Sequence, residues 1–377
     1  MPVSAQDVLP LQERMGGDTR FVGRGITAAF LDSGFYAHPD LMTPRRRIKG
    51  YYDIMSGKSG VEHLSDTSDP SAWHGMMSTV VAAGNGALCD GRFKSLAPEL
   101  DLVLVKVGSM ARVRHDDIAR GIEWVLSHRA QYDIRILNIS CGGDYEATYL
   151  TDILSRMAEA AIREGITVVA AVGNAGHLPN HPVLPPASVP AVISVGGVDD
   201  AGNPKYGRRQ SYHHSYGPTL DGLQKPEVVA LADWIAAPIL PGTPTKAQAE
   251  FLAKLDQTPD NELAKVIGEN AGLDNSLDEA LHRPHYILRQ IIAGRLKDQN
   301  VINEHYKKVD GTSFAAPIVT SVVAQLLEAN PALTPQLIKR ILIQTAVRLH
   351  NVEVDRQGWG EIKPKAAVDR ALSLKRA

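Results

Sequence analysis

The stretch Gly311-Thr312-Ser313-Phe314-Ala315-Ala316-Pro317 sets a serine among small residues where a loop turns into a helix, so that its hydroxyl can stand exposed above an α/β core. Serine is also a favoured helix N-cap, so the stretch alone does not separate a nucleophile from a capping residue. The residues that follow, to Ala329, are mostly apolar and read as a buried helix ending before Pro331. Thr334-Pro335 opens another helix, carrying Leu337, Ile338, Ile341 and Leu342.

Three further segments supply what a serine nucleophile needs. Ile26-Thr27-Ala28-Ala29-Phe30-Leu31 is a short β-prone run ending in Asp32-Ser33-Gly34. The C-terminal ends of buried strands are where open α/β sheets hold their chemistry. His74 opens a segment of small and apolar residues, Met76 to Ala83, that suits a helix buried on most sides and able to aim the histidine into a cleft. Ile166 to Val172 reads as a fully buried strand running into Gly173-Asn174-Ala175-Gly176, where an amide can donate to an oxyanion and the glycines let substrate approach. Taken singly, Asp32-Ser33-Gly34 and Gly173-Asn174-Ala175-Gly176 are ordinary turn sequences. Together, in the order Asp32, His74, Asn174, Ser313, they spell an acid, a base, an oxyanion donor and a nucleophile.

In that order the motifs resemble those of the subtilisin-like serine protease family. Leu31-Asp32-Ser33-Gly34 with His38-Pro39-Asp40-Leu41 is similar to the family's Asp motif, and His74-Gly75 to its His motif. Ala171-Val172-Gly173-Asn174 resembles the oxyanion motif, and Gly311 to Pro317 the Ser motif. The resemblance covers about residues 20–235 and 307–347. It implies a serine endopeptidase with catalytic Asp32, His74 and Ser313 and an oxyanion hole made by Asn174 and the Ser313 N–H. It also implies a substrate peptide added as a strand along Ser140, Cys141 and Gly142. A pocket for the residue before the cut would lie between that segment and Ala171 to Gly173, floored by Leu184-Pro185-Pro186-Ala187. Its walls are small and uncharged, so a neutral, apolar side chain is expected there.

The coarse pattern agrees with an α/β doubly wound parallel sheet. β-like runs at 26–32, 101–107, 134–139, 167–172 and 192–198 alternate with helical stretches at 115–128 and 147–163. One peptidase domain over 1–377 is expected, with a departure from the family pattern at 240–306. Asn174 and Ser313 are 139 positions apart, about twice the usual separation in the family. The extra segment reads as three or four short helices, with seven basic against ten acidic residues over 244–306. It is either packed decoration or a lid, a built-in restraint or a docking surface for a regulatory partner.

Composition narrows the partners. Lys+Arg 40 against Asp+Glu 42 gives no basic surplus for nucleic acid or an anionic membrane, and no apolar run reaches the roughly 20 residues of a span. Peptide or protein substrates are expected instead. Cys89 and Cys141 make no disulfide framework and read as small packing residues; the alternative for Cys141 is an oxidation-sensitive neighbour of the cleft. Met1-Pro2-Val3-Ser4 shows no leader pattern and leaves little chain before Asp32 for a pro-segment, resembling the family's intracellular branch, so a cytoplasmic location is expected. Catalysis needs no cofactor. A structural calcium at Asp40, with oxygens from Asn85 and Asp90, stays open. A catalytically silent peptide- or partner-binding protein of the same fold is the alternative. An α/β-hydrolase esterase would need a Gly-x-Ser-x-Gly elbow and the order Ser–acid–His, which Ser313 lacks.

Overall fold

A computed structural model of the chain describes residues 8–109 and 112–375. The opening Met1-Pro2-Val3-Ser4, read above for a leader, lies outside them. Its strands are β1 (Thr27–Asp32), β2 (Ile48–Asp53), β3 (Asp101–Lys106), β4 (Ile134–Ile139), β5 (Thr167–Ala171), β6 (Ile193–Asp199), β7 (Gln210–Ser211) and β8 (Val228–Leu231). They form one sheet in the order β8-β6-β5-β4-β1-β3-β2, all parallel, with β7 antiparallel on β6. After β1 the chain goes out to β2 at the sheet edge, returns to lay β3 between β2 and β1, then crosses to lay β4, β5 and β6 on the other side of β1. The strand order therefore reverses between β1 and β4, and a crevice opens at their C-terminal ends.

Period-two alternation divides the strands between two cores. Ala28, Phe30, Leu102 and Leu104 face one layer; Ala29, Leu31, Val103 and Val105 face the other. Helix α1 (Ala72–Ala83) packs on the first face, while α2 (His115–Tyr132) and α3 (Ile153–Arg163) pack on the second through Ile118, Ile122, Leu154 and Ala158. Each fully buried Leu or Phe adds about 1.5–3 kcal/mol. The helix expected over 147–163 begins only at Ile153. Thr148 Oγ1 and Tyr149 N donate to Asp221, drawing that segment aside, and Asp152 caps the helix by accepting from Ser155 N at 2.7 Å.

The segment expected to be inserted rises from an antiparallel ribbon, β9 (Ile235–Pro238) against β10 (Tyr306–Val309). It holds α4 (Pro244–Gln257), α5 (Leu263–Glu269), α6 (Asn275–Glu279) and α7 (His285–Asp298). Phe251, Leu252, Leu255, Leu263, Ile267, Leu288 and Ile292 give these helices a core of their own. Thr243 Oγ1 accepts from Lys246 N at 3.2 Å, capping α4, and Asp274 caps α6. From β10 the chain runs directly into α8 (Thr312–Ala329), followed by α9 (Pro335–Thr345) and α10 (Pro364–Lys375). Helix α8 is apolar and long enough to cross a membrane by composition, yet 89% of it is buried against the sheet, α1 and α10. It is the core helix of the first layer.

Candidate active site

Asp32 ends β1 and is almost wholly buried. Its Oδ1 accepts from Ser33 N at 2.7 Å and lies 2.7 Å from His74 Nδ1. Its Oδ2 is buried with no hydrogen-bond partner, which leaves the imidazole as the carboxylate's main counterpart. His74 stands in the first turn of α1, and Gly75 explains how the helix comes so close. A Cβ at Gly75 would meet Gly34 O at 2.1 Å, so any larger residue pushes α1 and its histidine away from the Asp32 turn. Burial works against a charged imidazole, but the charge of Asp32 and its hydrogen bond outweigh it and raise the His74 pKa above its ordinary value. Trp73 stands edge-on to the ring at 5.3 Å and Phe314 lies at 5.9 Å, so the imidazole rests against the residue next to Ser313.

Ser313 occupies the first turn of α8, where its N–H has no intrahelical acceptor. Its hydroxyl donates to Ser140 O at 3.0 Å. Its carbonyl accepts in turn from Ser140 Oγ at 3.0 Å. Gly311 precedes the helix at φ +130°, a left-handed value that glycine adopts without penalty. Asn174 is exposed, and its Oδ1 accepts from Thr312 N at 2.9 Å and Thr312 Oγ1 at 3.0 Å. A backbone N–H only donates, so the amide end facing Thr312 is the oxygen and Nδ2 is the end left for the cleft.

The expected peptide-binding segments flank Ser313. Ser140, Cys141 and Gly142 leave β4, and Ala171 and Gly173 end β5, which pairs beside it. Gly143 N donates to Pro185 O at 2.7 Å, and the space above Gly142 is bounded by Leu184 and Pro185 at 3.8 and 3.9 Å, so the Leu184–Ala187 segment does approach these walls. Cys141 packs against the core beneath the cleft. Its Sγ turns toward Leu31 O at 3.8 Å, and burial with the Asp32 charge raises its pKa well above the ordinary thiol value, which disfavours the thiolate.

Two contributors were not read from sequence. Thr320 Oγ1 donates to Asn138 Oδ1 and Asn138 Nδ2 to Ser140 Oγ, each at 2.9 Å, a buried chain that ends on the Ser313 carbonyl. The available signal was Asn138 itself, an amide in an otherwise apolar buried strand that must find partners. Thr312 is the second, tying Asn174 and, through Gly173 N at 3.2 Å, the end of β5 to the serine helix.

Asp40 and its surroundings do not fit a calcium. Oδ2 accepts from Tyr306 O–H at 2.7 Å, and Oδ1, without a hydrogen-bond partner, lies 3.6 Å from His38 Nδ1. The Asn85 side-chain oxygen already accepts from Ala87 N at 3.1 Å. Calcium takes about six to eight oxygens, and among the described residues no three His, Cys, Asp or Glu side chains gather to hold a metal.

Fold and site together define the subtilisin-like class of α/β proteins: a parallel sheet whose switch point sets a carboxylate against an imidazole, with the serine-bearing helix reaching the imidazole through Phe314. The Subtilase family pattern matches residues 23–360, and the chain belongs to that family of serine proteases. It is 26% identical over 92% of its length to the serine protease AprX of Bacillus subtilis (strain 168) and 24% identical over 98% to a probable subtilase-type serine protease of Deinococcus radiodurans. It spans 66% and 44% of those two proteins. In fold it is similar to fervidolysin of Fervidobacterium pennivorans (TM-score 0.63, 22% identity, 97% of this chain and 47% of that one). A protease of Pseudoalteromonas arctica matches at TM-score 0.63 and 20% identity over 93% of this chain and 91% of that one.

Proposed function

We propose that the chain is a serine endopeptidase working through Ser313, His74 and Asp32. The contact that carries this reading is the 2.7 Å approach of His74 Nδ1 to a buried Asp32 carboxylate. It holds the Nδ1 proton toward Asp32 and leaves Nε2 as the base. On substrate binding the Ser313 hydroxyl leaves Ser140 O and gives its proton to Nε2 as Oγ bonds to the peptide carbonyl carbon. The Asn174 amide and the Ser313 N–H donate to the oxygen as it gains charge. The imidazolium then protonates the leaving amine, the C–N bond breaks, and water releases the acyl group by the same steps in reverse order. Small walls at Gly142, Ala171 and Gly173 favour a neutral side chain before the cut.

Incubation with a fluorophosphonate, alongside hydrolysis of a peptide library, tests the assignment. Labelling and cleavage that both vanish in Ser313→Ala support it; cleavage that survives that substitution removes Ser313. The parking of the hydroxyl on Ser140 O favours a second reading, a silent peptide-binding protein of the same fold. Peptide binding without label or hydrolysis would establish that one instead.

A further inference from the structure

A cavity of about 530 Å³ lies beside the imidazole. One wall is Met77 with Trp73 and Phe314, the two aromatic rings that flank His74. The other belongs to the insertion and its ribbon, with Ile239, Leu240 and Lys307 among its residues. No residue of the Ser140–Gly142 or Ala171–Gly173 walls lines it. A peptide whose acyl half lies along those walls and whose scissile bond sits over Ser313 must send its other half past His74, toward this cavity.

The charges around the cavity are uneven. Asp310 also lines it, but Asp310 Oδ2 accepts from Tyr212 O–H at 2.6 Å. Lys308 holds its Nζ over the Trp234 ring, 4.4 Å from the centroid. Lys307 is half-buried and makes no ion pair among the described residues; burial lowers its pKa and no neighbouring carboxylate acts on it. A half-buried ammonium without a counter-ion carries a desolvation cost that an incoming anion relieves. Apolar walls with Lys307 facing them, held by neither an ion pair nor a ring, form a site for a carboxylate on an otherwise apolar segment.

We infer that the insertion builds the leaving-group subsite of this enzyme, and that Lys307 selects peptides carrying a carboxylate just beyond the scissile bond. The inference rests on the protease reading above. Two sources present that carboxylate, an acidic side chain or the free C-terminus of a short leaving segment. Either way, the ribbon that carries the 240–306 segment acts in substrate choice.

The test uses the full chain and peptides with one fixed acyl half. The leaving half carries Glu or its neutral isostere Gln, each with a free or an amidated C-terminus. The wild type should favour carboxylate-bearing peptides by about tenfold in kcat/KM over the uncharged pair, the scale of a charge-assisted hydrogen bond. Preference for Glu names the side chain; preference for the free acid names the terminus. Lys307→Met should bring the ratio near one and Lys307→Glu should invert it toward a Lys-containing leaving half. Lys265→Met, on the exposed side of the insertion, should keep the wild-type ratio. Equal rates in the wild type, or a preference that persists in Lys307→Met, overturn the subsite while leaving the protease reading intact. Failure to cleave any peptide overturns both.

Discussion

Asn174 Oδ1 accepts from both the backbone N–H and the hydroxyl of Thr312, at 2.9 and 3.0 Å, so the residue before the serine sets the direction of the amide that faces the cleft. Ser313 and Asn174 are thereby fixed to each other through one side chain. A donor held in place before reaction spends nothing on reorganisation as charge develops.

Removing the donor and loosening it should therefore differ. Asn174→Ala is expected to lower turnover by a factor on the order of 10²–10³, with substrate binding little changed. Thr312→Val keeps the shape and the backbone donor but loses one of the two bonds, so its loss should be smaller. Steady-state kinetics on one peptide checks both; a Thr312→Val enzyme as slow as Asn174→Ala would mean that Thr312 does more than orient the amide.

The acid limb of activity should lie above the usual histidine range. His74 works as a base only when neutral, and the Asp32 charge holds its proton more tightly despite burial. Activity should thus fall as pH drops through a value above 6.5. Asp32→Asn removes the charge, so the limb should move down while kcat falls steeply. A kcat/KM profile against pH, measured on both proteins, decides; an acid limb unmoved by the substitution would separate Asp32 from His74 function.

Much of this site was legible because its parts are local motifs. Asp32, His74, Asn174 and Ser313 each end or begin an element whose apolar run is plain in sequence, and β1, β4, β5 and β6 read as buried strands for the same reason. What escaped was set by distant pairing. Ile48–Asp53 carries Lys49, Gly50 and Asp53 and looks like a loop, yet it pairs with β3 at the sheet edge, where Lys49 stays exposed. Val228–Leu231 is only four residues long, and its partner Val195–Val198 lies some thirty positions back. The Thr320–Asn138–Ser140 chain joins residues up to 182 positions apart, and spacing along the sequence carries no sign of that meeting.

Asp40 gives the next prediction. Tyr306 comes from β10, at the foot of the 240–306 helices, and its hydroxyl binds Asp40 with both residues fully buried. The β9–β10 ribbon thus contributes a satisfied hydrogen bond where a cation was open from sequence. Tyr306→Phe should destabilise by about 1–3 kcal/mol, the cost of leaving a buried acceptor unpaired. A chelator or added calcium should leave the melting temperature of the parent protein unchanged. Thermal melts with and without chelator check both, and a drop on chelation would return a metal to this fold.

Acid stability should be governed by two buried histidines. His38 is pushed down to about 4 by burial, against the Asp40 charge, and its Nδ1 accepts from Asp40 N at 3.2 Å. His214 is likewise pushed down to about 4 by burial, with Nδ1 accepting from Gly197 N at 3.0 Å and Nε2 lying 2.6 Å from Arg356 O. Unfolded, both would titrate near 6.5. Between about 6.5 and 4 the unfolded chain binds protons that the folded chain refuses, so stability is fully present above 6.5 and drains away as pH falls through that window. His74, raised, acts in the opposite sense but above 6.5, outside this window, while Asp233, pushed up to about 6 by burial, holds a proton in the fold over much of it and offsets part of the two-proton uptake of the histidines. His214→Gln keeps one donor and one acceptor without a titrating ring, so it should flatten the slope by about one proton. Denaturant unfolding at a series of pH values reads that slope directly; an unchanged slope in His214→Gln would show that His214 is already protonated in the fold, and the acid sensitivity would then belong to other groups.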